Sequence, residues 1–232
     1  MTSQQLAAPP RQTPRRTNRR AWLIPVGLIL LSLVPIVAGV FRLTELAGGA
    51  DVTESNARFF DSPVPAVAHI VGASVYCLLG AFQFVPQLRR GRPSWHRIAG
   101  RILVPAGLIA GLSGMWLAVF YPRPELDVVV RLVFAALMVG SILLGLRAIL
   151  RRDFAAHRAW MIRGYAIGIG AGTQVFTMIV GTLLLGGGDP DANTTVALMV
   201  AGWVINLAVA EVVIRRSATR EGPLGRPEGA SR

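Results

Sequence analysis

Six runs of about twenty mostly apolar residues, set between clusters of arginine, constrain this chain more than any other feature. A helix rising about 1.5 Å per residue needs about 20 residues to cross the hydrocarbon of a bilayer. The runs are Trp22–Phe41, Pro65–Leu88, Ile98–Phe120, Val128–Ile149, Ile162–Leu185 and Thr194–Ile214. Hydrocarbon offers the backbone no water, so each segment must satisfy its own N–H and C=O groups, as a helix does. Pro25, Pro35 and Pro105 do not interrupt the pattern, because membrane helices tolerate proline. The expected fold class is all-α, an integral membrane bundle of six transmembrane helices. Composition agrees. Hydrophobic residues make up 53% and charged residues 16% of the 232, with mean hydropathy +0.51, which excludes a disordered chain and argues against a soluble globule.

Arginine gives the orientation. All 24 basic residues are arginine, so net charge is +12. Five precede the first run (Arg11, Arg15, Arg16, Arg19, Arg20), and five lie between the second run and the start of the third (Arg89, Arg90, Arg92, Arg97, Arg101). Five follow the fourth (Arg147, Arg151, Arg152, Arg158, Arg163) and five the sixth (Arg215, Arg216, Arg220, Arg226, Arg232). The other side holds only Arg42, Arg58, Arg123 and Arg131, with eight acids from Glu45 to Asp191. Basic residues favour the cytoplasmic side, so both termini are expected there, N-in and C-in, in the bacterial cytoplasmic membrane. Arginines clustered between apolar runs, not along one soluble face, leave no case for nucleic acid. Membrane lipids are the expected partners, at about 1 kcal/mol per arginine near anionic head groups.

The domain plan follows. Residues 1–20 and 216–232, rich in Pro, Gly, Gln and Arg, are expected to be disordered cytoplasmic tails flanking a membrane domain at 21–215. The first run is longer than the apolar core of a signal peptide and is expected to remain as a span.

Two arginine-rich entries echo each other, RRGRPSWHRIAGRILVPAGLIAG from Arg89 and RRDFAAHRAWMIRGYAIGIGAG from Arg151. Superposing His96 on His157 also brings Gly107 onto Gly168 and Gly111 onto Gly172. Glycine every fourth residue leaves a smooth helix face where another backbone or a flat cofactor can come close, inside the bundle or against a second copy of the chain in a homo-oligomer.

Few residues can carry chemistry. Cys77 is the only cysteine, which excludes an internal disulfide or a CxxC site. There is no P-loop, dinucleotide fingerprint, HExxH or GxSxG. The histidines are His69, His96 and His157. His96 and His157 stand at the arginine-rich ends of two runs, so they are the pair to consider as axial ligands of a b-type haem, with arginines for its propionates. His69 lies about 19 residues, or roughly 28 Å, from that end and cannot share a metal with them. It is an ionisable group inside a span, a costly placement that usually serves function. At helical spacing Gly72, Tyr76 and Gln83 can share its side as a polar strip. Glu211, four residues before Arg215, is expected to pair with it. No acid lies at mid-depth, which weighs against a proton-coupled transporter.

The run from His69 through Gly80, Gln83 and Pro86 to His96-Arg97 and Gly100-Arg101, then His157-Arg158-Ala-Trp160-Met161-Ile-Arg163, resembles a bacterial family of predicted membrane proteins, domain of unknown function twenty-three-oh-six. The likeness covers roughly residues 65–185. It implies a multi-pass membrane protein with no assigned reaction, so whether the chain is an enzyme stays open. Three functional classes follow: a protein binding a small molecule or lipid in the bundle interior, a haem or quinone-linked redox protein, and a small transporter. The residues to watch are His69, Tyr76, Gln83, His96, Arg97, Arg101, His157, Arg158, Trp160 and Arg163.

Overall fold

A computed structural model describes residues 22–54, 56–85, 88 and 91–221, which hold helices and no strand. In chain order the helices are α1 (Leu23–Gly48), α2 (Ala57–Asp61), α3 (Pro63–Gln83), α4 (Pro93–Phe120), α5 (Glu125–Leu150), α6 (Phe154–Gly168), α7 (Gly170–Leu184) and α8 (Ala192–Glu221). Five of them are each long and apolar enough to cross a membrane. Taken as one span, α6 and α7 add a sixth crossing, bent by 47° at Ile169 where one continuous helix was expected. Of the expected tails, 216–221 continue α8, and the rest lies outside the described residues.

The ends of these helices are read locally. Gly49 closes α1 in the left-handed conformation, its N–H returning to Glu45 O. Arg152, at φ +60°, makes the tight turn after α5, and the Asp153 carboxylate then accepts from Ala156 N to start α6. Asp191 does the same for α8 through Thr194 N at 2.7 Å, a bond that holds its carboxyl below the usual carboxylate range.

Hydrocarbon is the surrounding solvent. Only 11 to 33% of the residues in the most apolar stretches of the five unbroken spans are buried within the chain, and Leu30, Val37, Ile109, Val133 and Val209 point outward. A monomer in water does not expose apolar surface on that scale.

Near the arginine-poor end the crossings form a ring, α1 on α3, α3 on α4, α4 on α5, α5 on α8, α8 on α7 and α7 back on α1. Near the other end α6 leans inward against α5, α8 and α3. The bend at Ile169 makes that difference. Straight helices keep their carbonyls bonded four residues on, and a bend releases some of them into a solvent with no donors. Here side chains from neighbouring helices take them. Asn206 Nδ2 donates to Ala166 O (3.0 Å), Trp203 Nε1 to Ile167 O (3.2 Å) and Cys77 Sγ to Gly168 O (3.7 Å). Asn206 also accepts from Thr173 Oγ1 at 2.7 Å, tying both sides of the bend to α8.

The echoed glycines all face inward. Tyr76, 1% exposed, has its ring between Gly107 of α4 and Gly168 of α6, where a Cβ on either would come within 2.7 Å of it. Gly111 meets Val139, and a Cβ on Gly172 would strike the Leu31 carbonyl of α1. Gly168 and Gly172 fall on opposite sides of the bend, so they form no continuous helical stripe.

Replacing Asn206 by leucine keeps the branched shape, with somewhat greater volume, but removes the donor to Ala166 O and the acceptor for Thr173. The expected loss is about 1–2 kcal/mol, in the range of interhelical hydrogen bonds in membranes plus a stranded carbonyl. Unfolding of the purified protein in mixed micelles of rising dodecyl sulfate fraction measures it. An unchanged midpoint would mean that the bend does not depend on this cap.

Candidate functional site

Above the bend the ring encloses a cavity of about 350 Å³. Its floor is Ile167, Gly168 and Ile169 with Tyr76 and Cys77, and its walls include Ile36, Ile70, Phe134, Met138 and Trp203. It exists because α7 turns away from the line of α6. Trp203 holds one wall, stacked on Phe134 with ring centroids 4.3 Å apart while donating to Ile167 O. Gln174 holds another, its Nε2 donating to Met199 O at 3.2 Å.

His69 lines this cavity about 9 Å, six helical residues, inside α3. Its Nδ1 lies 2.9 Å from Ala110 O on α4, with Ser113 Oγ at 3.4 Å. A carbonyl only accepts, so Nδ1 carries the proton and Nε2 of the neutral ring is the basic nitrogen.

The arginine-poor end of the same cavity is lined by Arg58, Arg123 and Arg131. Asp127, 8% exposed, is shared between two of them: Oδ2 accepts from Arg123 Nη1 at 3.1 Å and Oδ1 from Arg131 Nε at 2.7 Å. Arg123 also donates to Leu117 O. Arg58 lies over the rings of Phe59 and Tyr121, 5.0 and 5.8 Å from their centroids, and Arg42 covers Phe59 at 4.2 Å while pairing with Glu45. All four arginines that break the charge bias therefore gather at one place. Sequence reasoning treated them as a minority in a count. The available signal was their placement on the side that charge bias depletes.

The other watched residues lie elsewhere. Gln83 ends α3 far from the cavity, its Nε2 buried without a hydrogen-bond partner among the described residues. Of the expected polar strip, His69 and Tyr76 meet the cavity, while Gly72 is pressed against the α4 backbone at Ala106. His96 is on the first turn of α4, Arg97 reaches Ser94 Oγ at 3.4 Å, and Arg101 ends an apolar groove between α3 and α4. His157 Nδ1 donates to Gly145 O of α5 at 2.8 Å, and Met161 and Trp160 cover Gly145. Arg158 donates to Ser217 Oγ of α8 at 2.8 Å. Arg163, over the Trp160 ring, makes a two-pronged pair with Glu211 at 2.6 and 3.1 Å. Glu211 thus pairs across helices with Arg163, where a pair with Arg215 along α8 was expected. A carboxylate on a neighbouring helix can meet both prongs of a guanidinium, a better match than a single contact one turn away. The segment from His157 to Arg163 therefore docks α6 onto α5 and α8. As for the two haem-candidate histidines, α4 packs on α3 and α5 while α6 packs chiefly on α5 and α8.

Removing the shared carboxylate should cost more than any other single change at the cavity mouth. Asp127→Asn leaves two guanidiniums facing each other with side chains at 15 and 36% exposure. The expected destabilisation is about 3 kcal/mol, as for a buried pair stripped of one partner, with Asp127→Glu losing less. Thermal unfolding in neutral detergent decides it, and equal midpoints for Asn and native chains would refute the shared-pair account.

The sequence profile of the family described as Predicted membrane protein (DUF2306) matches residues 66–214, extending the likeness read from the residues through α8. No curated protein and no solved structure matches the chain. With well over half its length matched, the chain belongs to the DUF2306 family of predicted membrane proteins.

Proposed function

We propose that this protein binds a small molecule or lipid inside its helical bundle, in the cavity above the Ile169 bend. The observation that carries the reading is a partly open space of about 350 Å³, walled mostly by apolar side chains, with His69 and three arginines placed along it. Ligand sites are commonly concave, mostly apolar and supplied with a few fixed polar groups, in volumes of about 300–1,000 Å³. The arginine excess at the opposite end supports an orientation with that end in the bacterial cytoplasm, so the cavity faces outward. The lining reaches the arginine-poor end and stops at the layer of Tyr76 and Ile167, short of Gln83 and Asn206. That supports a binding pocket over a continuous transport path.

Ala135 lines the cavity from α5, one turn from Arg131, and Ala135→Phe fills part of it while leaving every arginine and the bend residues in the chain. Solvent extraction and mass spectrometry of the purified protein should recover a bound species near one per chain from the native form. Several-fold less is expected from Ala135→Phe at equal thermal stability. Identical extracts from the two forms would overturn the reading.

A further inference from the structure

The cavity's charge and shape narrow what it takes. Three guanidiniums line its upper end, and the one buried carboxylate beside them, Asp127, is already divided between Arg123 and Arg131. Arg58 rests on aromatic faces and has no carboxylate within ion-pair distance among the described residues. Acids outnumber arginines over that end as a whole, but among the three lining guanidiniums and the carboxylate they share, positive charge exceeds negative at a partly enclosed mouth, where an anion is held more strongly than in water. Arginine suits this task because it stays charged and presents a fork of donors to carboxylate or phosphate oxygens.

Below the mouth the lining becomes apolar. The lining runs along α3 from His69 to Tyr76 and along α4 from Ala110 to Ala118, seven and eight helical residues, or roughly 10–12 Å. A volume of about 350 Å³ is near the lower end of the about 300–1,000 Å³ that ligand sites span, a size that suits one carbon chain with its head group. A single-chain ligand therefore suits the space better than a two-chain phospholipid. We infer that the cavity takes a single-chain organic anion, its carboxylate or phosphate head among Arg58, Arg123 and Arg131 and its tail running down past Ile70 and Phe134 towards Tyr76. This inference rests on the interior-binding reading and specifies its ligand class.

The test uses the full chain in neutral detergent, with dodecanoate, dodecyl phosphate, dodecanol and a two-chain phosphatidylglycerol as probes. Binding is followed by isothermal titration calorimetry for the native protein, Arg58→Gln and Ala135→Phe. Comparing one probe between variants cancels its partition into micelles. Arg58 is the arginine to change because it sits on ring faces outside the Asp127 pair, and circular dichroism checks that the fold survives. Dodecanoate and dodecyl phosphate should both lose at least tenfold in affinity in Arg58→Gln, while dodecanol changes less than twofold. Ala135→Phe should weaken all three single-chain probes. A loss for only one of the two anions assigns the head group to carboxylate or to phosphate. Should dodecanol fall as far as the anions in Arg58→Gln, or phosphatidylglycerol bind as tightly as they do, the ligand class is wrong although the cavity still binds. Should Ala135→Phe bind every probe as the native chain does, or no probe bind at all, the interior-binding reading fails with it.

Discussion

In a solvent without donors, a helix can bend only where neighbours take over the carbonyls it releases. The rest of this structure depends on that constraint at Ile169. Asn206 and Trp203 of α8 and Cys77 of α3 converge on three successive carbonyls, Ala166, Ile167 and Gly168. The bond of Tyr165 Oη to Cys77 O, at 2.7 Å, holds α6 against α3 just below. With those bonds made, α6 fills the bundle at one end while α7 leaves its line and joins the wall of a ring at the other. The cavity is the space so opened.

The two ends then carry different work. At the arginine-rich end, the charges are used for assembly. His157, Arg158, Trp160 and Arg163 lock α6 between α5 and α8 through Gly145, Ser217 and Glu211. A motif that looks chemical in one dimension is in three a set of docking contacts, each joining a side chain to a neighbouring helix. At the arginine-poor end the guanidiniums outnumber the carboxylates that meet them, and they face a cavity. There the arginine surplus is the feature on which the proposed ligand class rests.

Tyr76 links the ends. Its ring separates Gly107 from Gly168, the glycines that superpose when the two histidine entries are aligned. The internal echo in the chain therefore corresponds to a shared contact: two like helix entries close on one aromatic ring from α3. His69, two turns along the same helix, stands in the cavity above it with Nδ1 committed to Ala110 O. One helix, α3, thus supplies both the floor and one of the polar groups of the site.

The six crossings, their approximate limits and the division of arginines between two ends were legible in the chain, because hydropathy and charge act locally and each run of residues meets lipid by itself. The placement of His69 was legible for the same reason, an ionisable group where hydrocarbon was expected. The break at Ile169 was not, since no proline marks it and Gly168-Ile169-Gly170 reads as ordinary packing glycine. What sustains it are donors 36 to 91 positions away in sequence, and only tertiary structure brings Cys77, Trp203 and Asn206 to those carbonyls. The partner of Glu211 and the meeting of Arg58, Arg123 and Arg131 were decided in the same way. Sequence sets which segments dissolve in lipid, whereas the choice of which polar groups meet depends on how helices far apart in the chain are turned towards one another.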